Sequence, residues 1–143
     1  MGHSSSIALG VAVQKPGTKV WCVDGDGAVL MHMGSMAVLG STAPENMVHI
    51  VINHGAHETV GGMPTVAADI DLVSIAKACG YPHAVSVTTY EELDRELTAA
   101  KERETRTFNE VKCGIGARED LGRPTTTALE NKQNFMEYLK ECR

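Results

Sequence analysis

An acid between two glycines, Gly25-Asp26-Gly27, follows directly on the β-branched run Lys19 to Asp24, and a lone amide, Asn53, closes the next such run, Met47 to Asn53. Both runs are largely continuous in apolar character, as in strands covered on both faces of a parallel sheet. Between them, Ala28 to Leu39 is apolar on nearly all sides, which predicts a helix buried between layers. Strand, helix and returning strand make a parallel unit, and open parallel sheets bind ligands beyond the carboxyl ends of their strands. Asp26 and Asn53 are therefore expected at the same edge.

The remaining periodicity continues the alternation. Ser4 to Val13 predicts a helix with serine caps, and His54 to Val66 a Gly-rich loop. Asp71 to Cys79 is a helix closed by Gly80, His83 to Val87 a strand, and Thr89 to Arg103 a charged amphipathic helix with Tyr90, Leu93 and Leu97 on one side. Thr107 to Cys113 alternates apolar and polar, which places it nearer a sheet edge. Gly114 to Thr127 is a loop and Glu130 to Glu141 a helix, with Thr127 and Glu130 spaced as a capping box. The prediction is an α/β fold, a parallel sheet covered by helices on both faces, with residues 1–143 forming one domain.

Composition narrows the function classes. A formal net charge of −5 and the absence of a Lys/Arg cluster argue against nucleic acid as a partner. No apolar run reaches the ~18 residues of a membrane span. The four cysteines form no CxxC pair and read as buried free thiols, which favours a reducing cytoplasm.

The chemistry follows from the two polar strand ends. A carboxylate and an amide carbonyl are hard oxygen donors, suited to Mg²⁺ or Ca²⁺ rather than Zn²⁺. One acid supplies modest charge, so further anionic ligands are needed, and phosphate oxygens are the natural source. Gly25, Gly27 and the start of the following helix leave backbone N–H groups facing the same place. The residues thus point to a Mg²⁺-bridged diphosphate site.

Gly25-Asp26-Gly27 followed by Asn53 resembles the thiamine diphosphate fingerprint, and the resemblance implies that cofactor. It implies Asp26, Asn53 and the backbone carbonyl of Gly55 as metal ligands. Gly25, Gly27, Ala28, Ala56 and His57 join them as cofactor-binding positions. The segments "NHGAHETVGGMPTV" and "GIGAREDLGRPTTTALENKQNFMEYL" resemble the phosphonopyruvate decarboxylases. That likeness implies conversion of 3-phosphonopyruvate to phosphonoacetaldehyde and CO₂. Sulfopyruvate decarboxylases, whose thiamine-binding half is a separate subunit, are the close relatives. Another 2-oxo acid as substrate, a non-catalytic cofactor-binding fragment and a phosphate-binding module without thiamine remain open.

In that family the glutamate that activates the cofactor belongs to a pyrimidine-binding domain. No acid precedes the first strand here, so a partner domain or subunit in a homo- or hetero-oligomer is implied. The family also carries a Gly-Ser-Met-Gly-His run entering its first helix. The chain begins at Met1-Gly2-His3, so a truncated chain or a single subunit is expected, with Met1, Gly2 and His3 as cofactor contacts.

His54 and His57 form an H-x-x-H without a visible third ligand, which leaves a loop histidine or a substrate-facing His57, with Glu58 beside it. An Arg grips a phosphonate in bidentate fashion. Arg118 and Arg123 flank Asp120, so one reaches a substrate or an Arg–Asp pair stabilises the loop. Met31, His32, Met33 and Met36 read as core filling.

Overall fold

The computed structural model describes residues 1–116 and 118–142; Ala117, within the predicted tail loop, lies outside them. Four parallel strands, β1 (Val20–Gly25), β2 (Met47–Asn53), β5 (His83–Val87) and β6 (Thr107–Lys112), form a sheet in the order β1-β2-β6-β5. A short antiparallel pair, β3 (Ala56–His57) and β4 (Met63–Pro64), stands in the Gly-rich stretch. Six α-helices complete the chain: α1 (Ser4–Gln14), α2 (Asp26–Met31), α3 (Gly34–Thr42), α4 (Leu72–Ala78), α5 (Tyr90–Glu102) and α6 (Ala128–Glu141).

The two faces of the sheet carry separate cores. On one, Cys22, Met47, Val51, Ala84 and Phe108 pack against Ala8 and Ala12 of α1, Val29 of α2, Met36 and Leu39 of α3, and Leu72 and Ala76 of α4. On the other, Val48 and Ile50 meet Ala100 and Leu97 of α5. Alternate residues of β2 thus serve opposite faces, which is why all but one of its positions are buried.

Several expectations fail on physical grounds. The predicted helix over 28–39 is two helices, because the chain leaves helical geometry at His32 (φ −133, ψ 45) and restarts at Gly34. Its apolar character does not mean all-round burial, since Met31 is 51% and Val38 56% exposed. Of the proposed core fillers only Met36 is fully buried, with Met33 packed beside it and His32 exposed.

The last strand is also central rather than near an edge, lying between β2 and β5. Its alternation arises because Thr107, Asn109 and Glu110 are polar yet buried. Cys113, just beyond it, is exposed rather than a core thiol. On α5, Tyr90 faces solvent while Leu97 packs on the sheet. The capping boxes Thr89–Glu92 and Thr127–Glu130 and the Asp71 cap on α4 explain where those helices begin.

Helix α3 touches the end of α4 at Gly40, where an added Cβ would lie 1.5 Å from the Cys79 carbonyl oxygen. Gly10, on α1, faces open space. Gly40→Ala is therefore expected to lower stability by about 1–3 kcal/mol through overpacking, while Gly10→Ala raises it by about 0.5–1 kcal/mol. Urea midpoints at unchanged slope check both; a Gly40→Ala midpoint at or above that of the unmodified protein contradicts the close approach.

Candidate functional site

Parallel pairing sets Gly25 of β1 beside Ile52 of β2, and Asn53 beside Lys112 of β6. The carboxyl ends of β1, β2 and β6 therefore share one edge. Gly25 caps α2 and Asp26 is its first residue, where the helix start favours an anion. Asp26 is nonetheless 1% exposed, so its carboxylate must be satisfied by the protein or by a ligand.

One carboxylate oxygen is satisfied. Oδ2 accepts from Thr65 Oγ1 at 2.5 Å. The other, Oδ1, is buried without a hydrogen-bond partner. It stands 3.3 Å from His54 Nδ1, but an Nδ1 that accepts from the Ala56 N–H at 3.3 Å carries no proton to donate to the carboxylate. A buried carboxylate oxygen left without a donor is what a cation stabilises.

The remaining predicted ligands join the same circuit. The Thr65 N–H donates to the Gly55 carbonyl at 2.9 Å, and the Gly55 N–H donates to Asn53 Oδ1 at 3.1 Å. Asn53 Nδ2 in turn donates to Glu110 Oε1 at 2.6 Å. Asp26, Asn53 and Gly55 are thus linked through Thr65 and their own backbone. Each retains a lone pair, since a carbonyl oxygen carries two.

The other predicted residues lie around this circuit. The His57 ring lies against Gly27, where an added Cβ would stand 2.6 Å from its Nδ1 and Cε1; glycine there is what admits the ring. Ala28 is half-buried, Ala56 buried, and Glu58 lies 3.8 Å from His54 Nε2. Gly2 is buried against His32 and the Ala28 carbonyl, so the start of the chain meets α2. Met1 is 69% exposed, and the exposed His3 ring lies 4.3 Å from that of His32.

The tail arginines are not brought to the circuit by any contact. Arg118 makes a bidentate pair with Asp120, both bonds 2.9 Å, and Arg123 is exposed. A cavity of about 760 Å³ lies at the opposite edge, lined by Lys19, Pro44, Asn46 and Lys101 among others, away from all of these groups.

Thr65 and Glu110 were not singled out in the sequence. Thr65 carried no signal, but an acid inside the run "TFNEVK" marks a buried carboxylate once that strand is known to be central. A second polar group also went unseen: Cys22, Asp24 and His49 bring their ligating atoms within 4.8 Å of one another. They form a buried histidine–carboxylate cluster. His49 Nε2 stands 3.8 Å from Asp24 Oδ2, and His49 Nδ1 meets the Tyr81 hydroxyl at 3.2 Å. Burial pushes the Cys22 thiol up to about 11, helped by the Asp24 charge. For Asp24, burial acts upward but is outweighed by His49 and Ser4, so its carboxyl sits below the ordinary value.

With this geometry in place, likeness to known proteins can be weighed. Residues 1–111 match the family described as thiamine pyrophosphate enzyme, C-terminal TPP binding domain. The chain belongs to the thiamine pyrophosphate enzymes. It is 37% identical over 139 residues to the phosphonopyruvate decarboxylase of Streptomyces viridochromogenes, covering 97% of this chain and 35% of that protein. It is 33% identical over 142 residues to the sulfopyruvate decarboxylase subunit beta of Methanococcus maripaludis, covering 99% of this chain and 75% of that subunit. The resemblance drawn from the motifs is thereby borne out. The chain spans about a third of the length of the phosphonopyruvate decarboxylases it matches. In fold, it matches the thiamine diphosphate-dependent 4-hydroxybenzoylformate decarboxylase of Rhodococcus jostii with a TM-score of 0.65 at 19% identity, over 81% of this chain and 24% of that one. The parallel α/β domain of a thiamine pyrophosphate enzyme is what the topology predicted.

Two outcomes follow from the hydrogen bonding. Thr65→Val leaves Asp26 Oδ2 buried without its donor and is expected to cost about 1–3 kcal/mol in urea unfolding; no change would show that the hydroxyl does not hold Asp26. Because the Asp24 carboxyl is depressed in the folded state, its stabilisation is present above the unfolded value of about 3.9 and is lost as pH falls through the lower folded value. The stability gap between the unmodified protein and Asp24→Asn should narrow as unfolding is measured from pH 6 toward pH 3.

Proposed function

We propose that this chain is the diphosphate- and Mg²⁺-binding half of a thiamine diphosphate-dependent 2-oxo acid decarboxylase, with 3-phosphonopyruvate as substrate and phosphonoacetaldehyde and CO₂ as products. The observation that carries the metal is Asp26 Oδ1, buried and without a hydrogen bond, beside a His54 Nδ1 that accepts rather than donates. Asp26, Asn53 Oδ1 and the Gly55 carbonyl form an all-oxygen donor set of the kind Mg²⁺ takes, with diphosphate oxygens completing it. When bound, the cofactor supplies a carbon nucleophile and an electron sink for the bond to the departing CO₂.

The chain's own residues anchor and orient. Gly25, Gly27, Ala28 and Ala56 line the diphosphate end, and Met1, Gly2 and His3 contact the cofactor where the chain meets α2. His57, held against Gly27, faces the substrate with Glu58 nearby. Arg123 is the tail arginine free of an ion pair among the described residues, and so the favoured one for the phosphonate. Arg118 reaches it only by releasing Asp120.

Proton removal from the cofactor falls to a glutamate on a pyrimidine-binding domain or subunit, in a homo- or hetero-oligomer. The match over 75% of a sulfopyruvate decarboxylase beta subunit favours one second reading, a subunit acting on sulfopyruvate. Four free cysteines accord with a cytoplasmic location. No helix of the described residues is long and apolar enough to cross a membrane.

Calorimetric titration with thiamine diphosphate tests the site. Binding is expected to require Mg²⁺ and to be lost in Asp26→Ala and Asn53→Ala. Metal-independent binding, or binding that survives both changes, overturns the assignment. This chain by itself is expected to release no CO₂ from phosphonopyruvate; turnover without a partner domain would place the proton-removing group within these residues.

A further inference from the structure

The least conspicuous acid in the sheet stands behind one of the proposed metal ligands. Glu110 lies on the central strand β6, beside Val51 of β2 and Ser86 of β5, and is 3% exposed. No ion pair to a Lys or Arg reaches it among the described residues. Its recorded partner is an amide: Oε1 accepts from Asn53 Nδ2 at 2.6 Å. A buried carboxylate is costly unless hydrogen-bonded, so this contact is needed by both residues.

The contact also decides which end of Asn53 faces the site. The oxygen and nitrogen of a side-chain amide are nearly the same size, and only neighbouring donors and acceptors tell them apart. A carboxylate can only accept, so Glu110 takes the NH₂ and turns Oδ1 the other way. The Gly55 N–H, which can only donate, meets Oδ1 at 3.1 Å from the opposite side. The amide is therefore held at both ends in the one orientation that presents an oxygen to a cation. Reversed, Asn53 would present two N–H groups, which repel a metal ion.

We propose that Glu110 is the positioning residue for the cation ligand: its carboxylate fixes the Asn53 amide with Oδ1 toward the metal, and its charge, relayed through the N–H, makes that oxygen a stronger donor. This rests on the reading that Asn53 Oδ1 binds Mg²⁺. Groups behind a metal ligand typically change metal affinity by about 10–100-fold when altered, and Glu110 belongs in that range. Glutamine in its place would fit the same space. Because it can donate as well as accept, it would leave the Gly55 N–H as the one remaining group that selects the amide orientation.

The test exploits that asymmetry in the full-length protein, saturated with thiamine diphosphate, by calorimetric titration with Mg²⁺. Glu110→Gln should weaken Mg²⁺ about 10-fold or more, with the far-UV circular dichroism unchanged. Asn53→Asp should also weaken it, since two carboxylates then meet where one amide donated. Glu110→Gln combined with Asn53→Asp restores a donor–acceptor pair with its direction reversed, and should bind Mg²⁺ more tightly than either single variant. A merely structural role for Glu110 predicts the opposite, a double variant at least as weak as the weaker single. Unchanged Mg²⁺ affinity in Glu110→Gln, or no rescue in the double variant, overturns the positioning role while leaving the metal site standing. If the unmodified protein shows no Mg²⁺-dependent binding, the metal site and the positioning role fall together.

Discussion

Burial of the Asp26 carboxylate is the constraint on which the site depends. A charge that is 1% exposed cannot rely on water, so the fold surrounds it with fixed groups. Thr65 supplies one hydrogen bond and simultaneously ties down the Gly55 carbonyl through its backbone. Thr65 can do so because β3 and β4 fold the Gly-rich stretch back over the ends of β1 and β2. That same hairpin delivers His57 onto Gly27. The buried charge, the threonine that satisfies one of its oxygens and the hairpin that brings His57 onto Gly27 are thus parts of one arrangement.

The strand ends were legible in the sequence because they depend on local patterning. β2 and β5 fall where the apolar runs place them, and the first strand is offset by one residue. Asp26 and Asn53 reach a common edge because parallel register leaves no other choice once both runs are strands. What failed was the step from hydrophobic pattern to burial and position in the sheet. "TFNEVK" resembles an edge strand because its buried polar residues Thr107, Asn109 and Glu110 interrupt the apolar ones. Ala28 to Leu39 looked like one buried helix because nothing in its composition records that His32 leaves helical geometry or that Val38 faces solvent. Patterning reports which residues tolerate burial, whereas burial itself is decided by what packs opposite.

The pairings that tune the site were illegible for a related reason. Asn53 and Glu110 are distant in sequence, and their hydrogen bond exists only because β6 lies beside β2. Strand order in a parallel sheet is set by crossover packing, which no single strand encodes. The Asp24–His49–Tyr81 network beneath β1 and β2 is of the same kind. The proposed metal motif is visible as spacing, but the groups that would orient it require the topology.

The anchor and the substrate end differ in how firmly this chain holds them. Asp26 and Asn53 are buried, and Gly55 joins them through hydrogen bonds drawn wholly from this polypeptide. The candidate substrate groups are more loosely held: Arg118 and Arg123 sit on an exposed loop, and Glu58 is joined to His54 only at 3.8 Å. Groups that must hold a divalent cation gain from rigidity, because a preorganised donor set spends less of the binding energy on ordering. Groups that admit and release a small 2-oxo acid are poorly served by the same rigidity. The division suits the proposed task of gripping a diphosphate, with substrate contacts assembled around it, and it accords with the proposed metal motif being the part of the site that stands out in sequence alone.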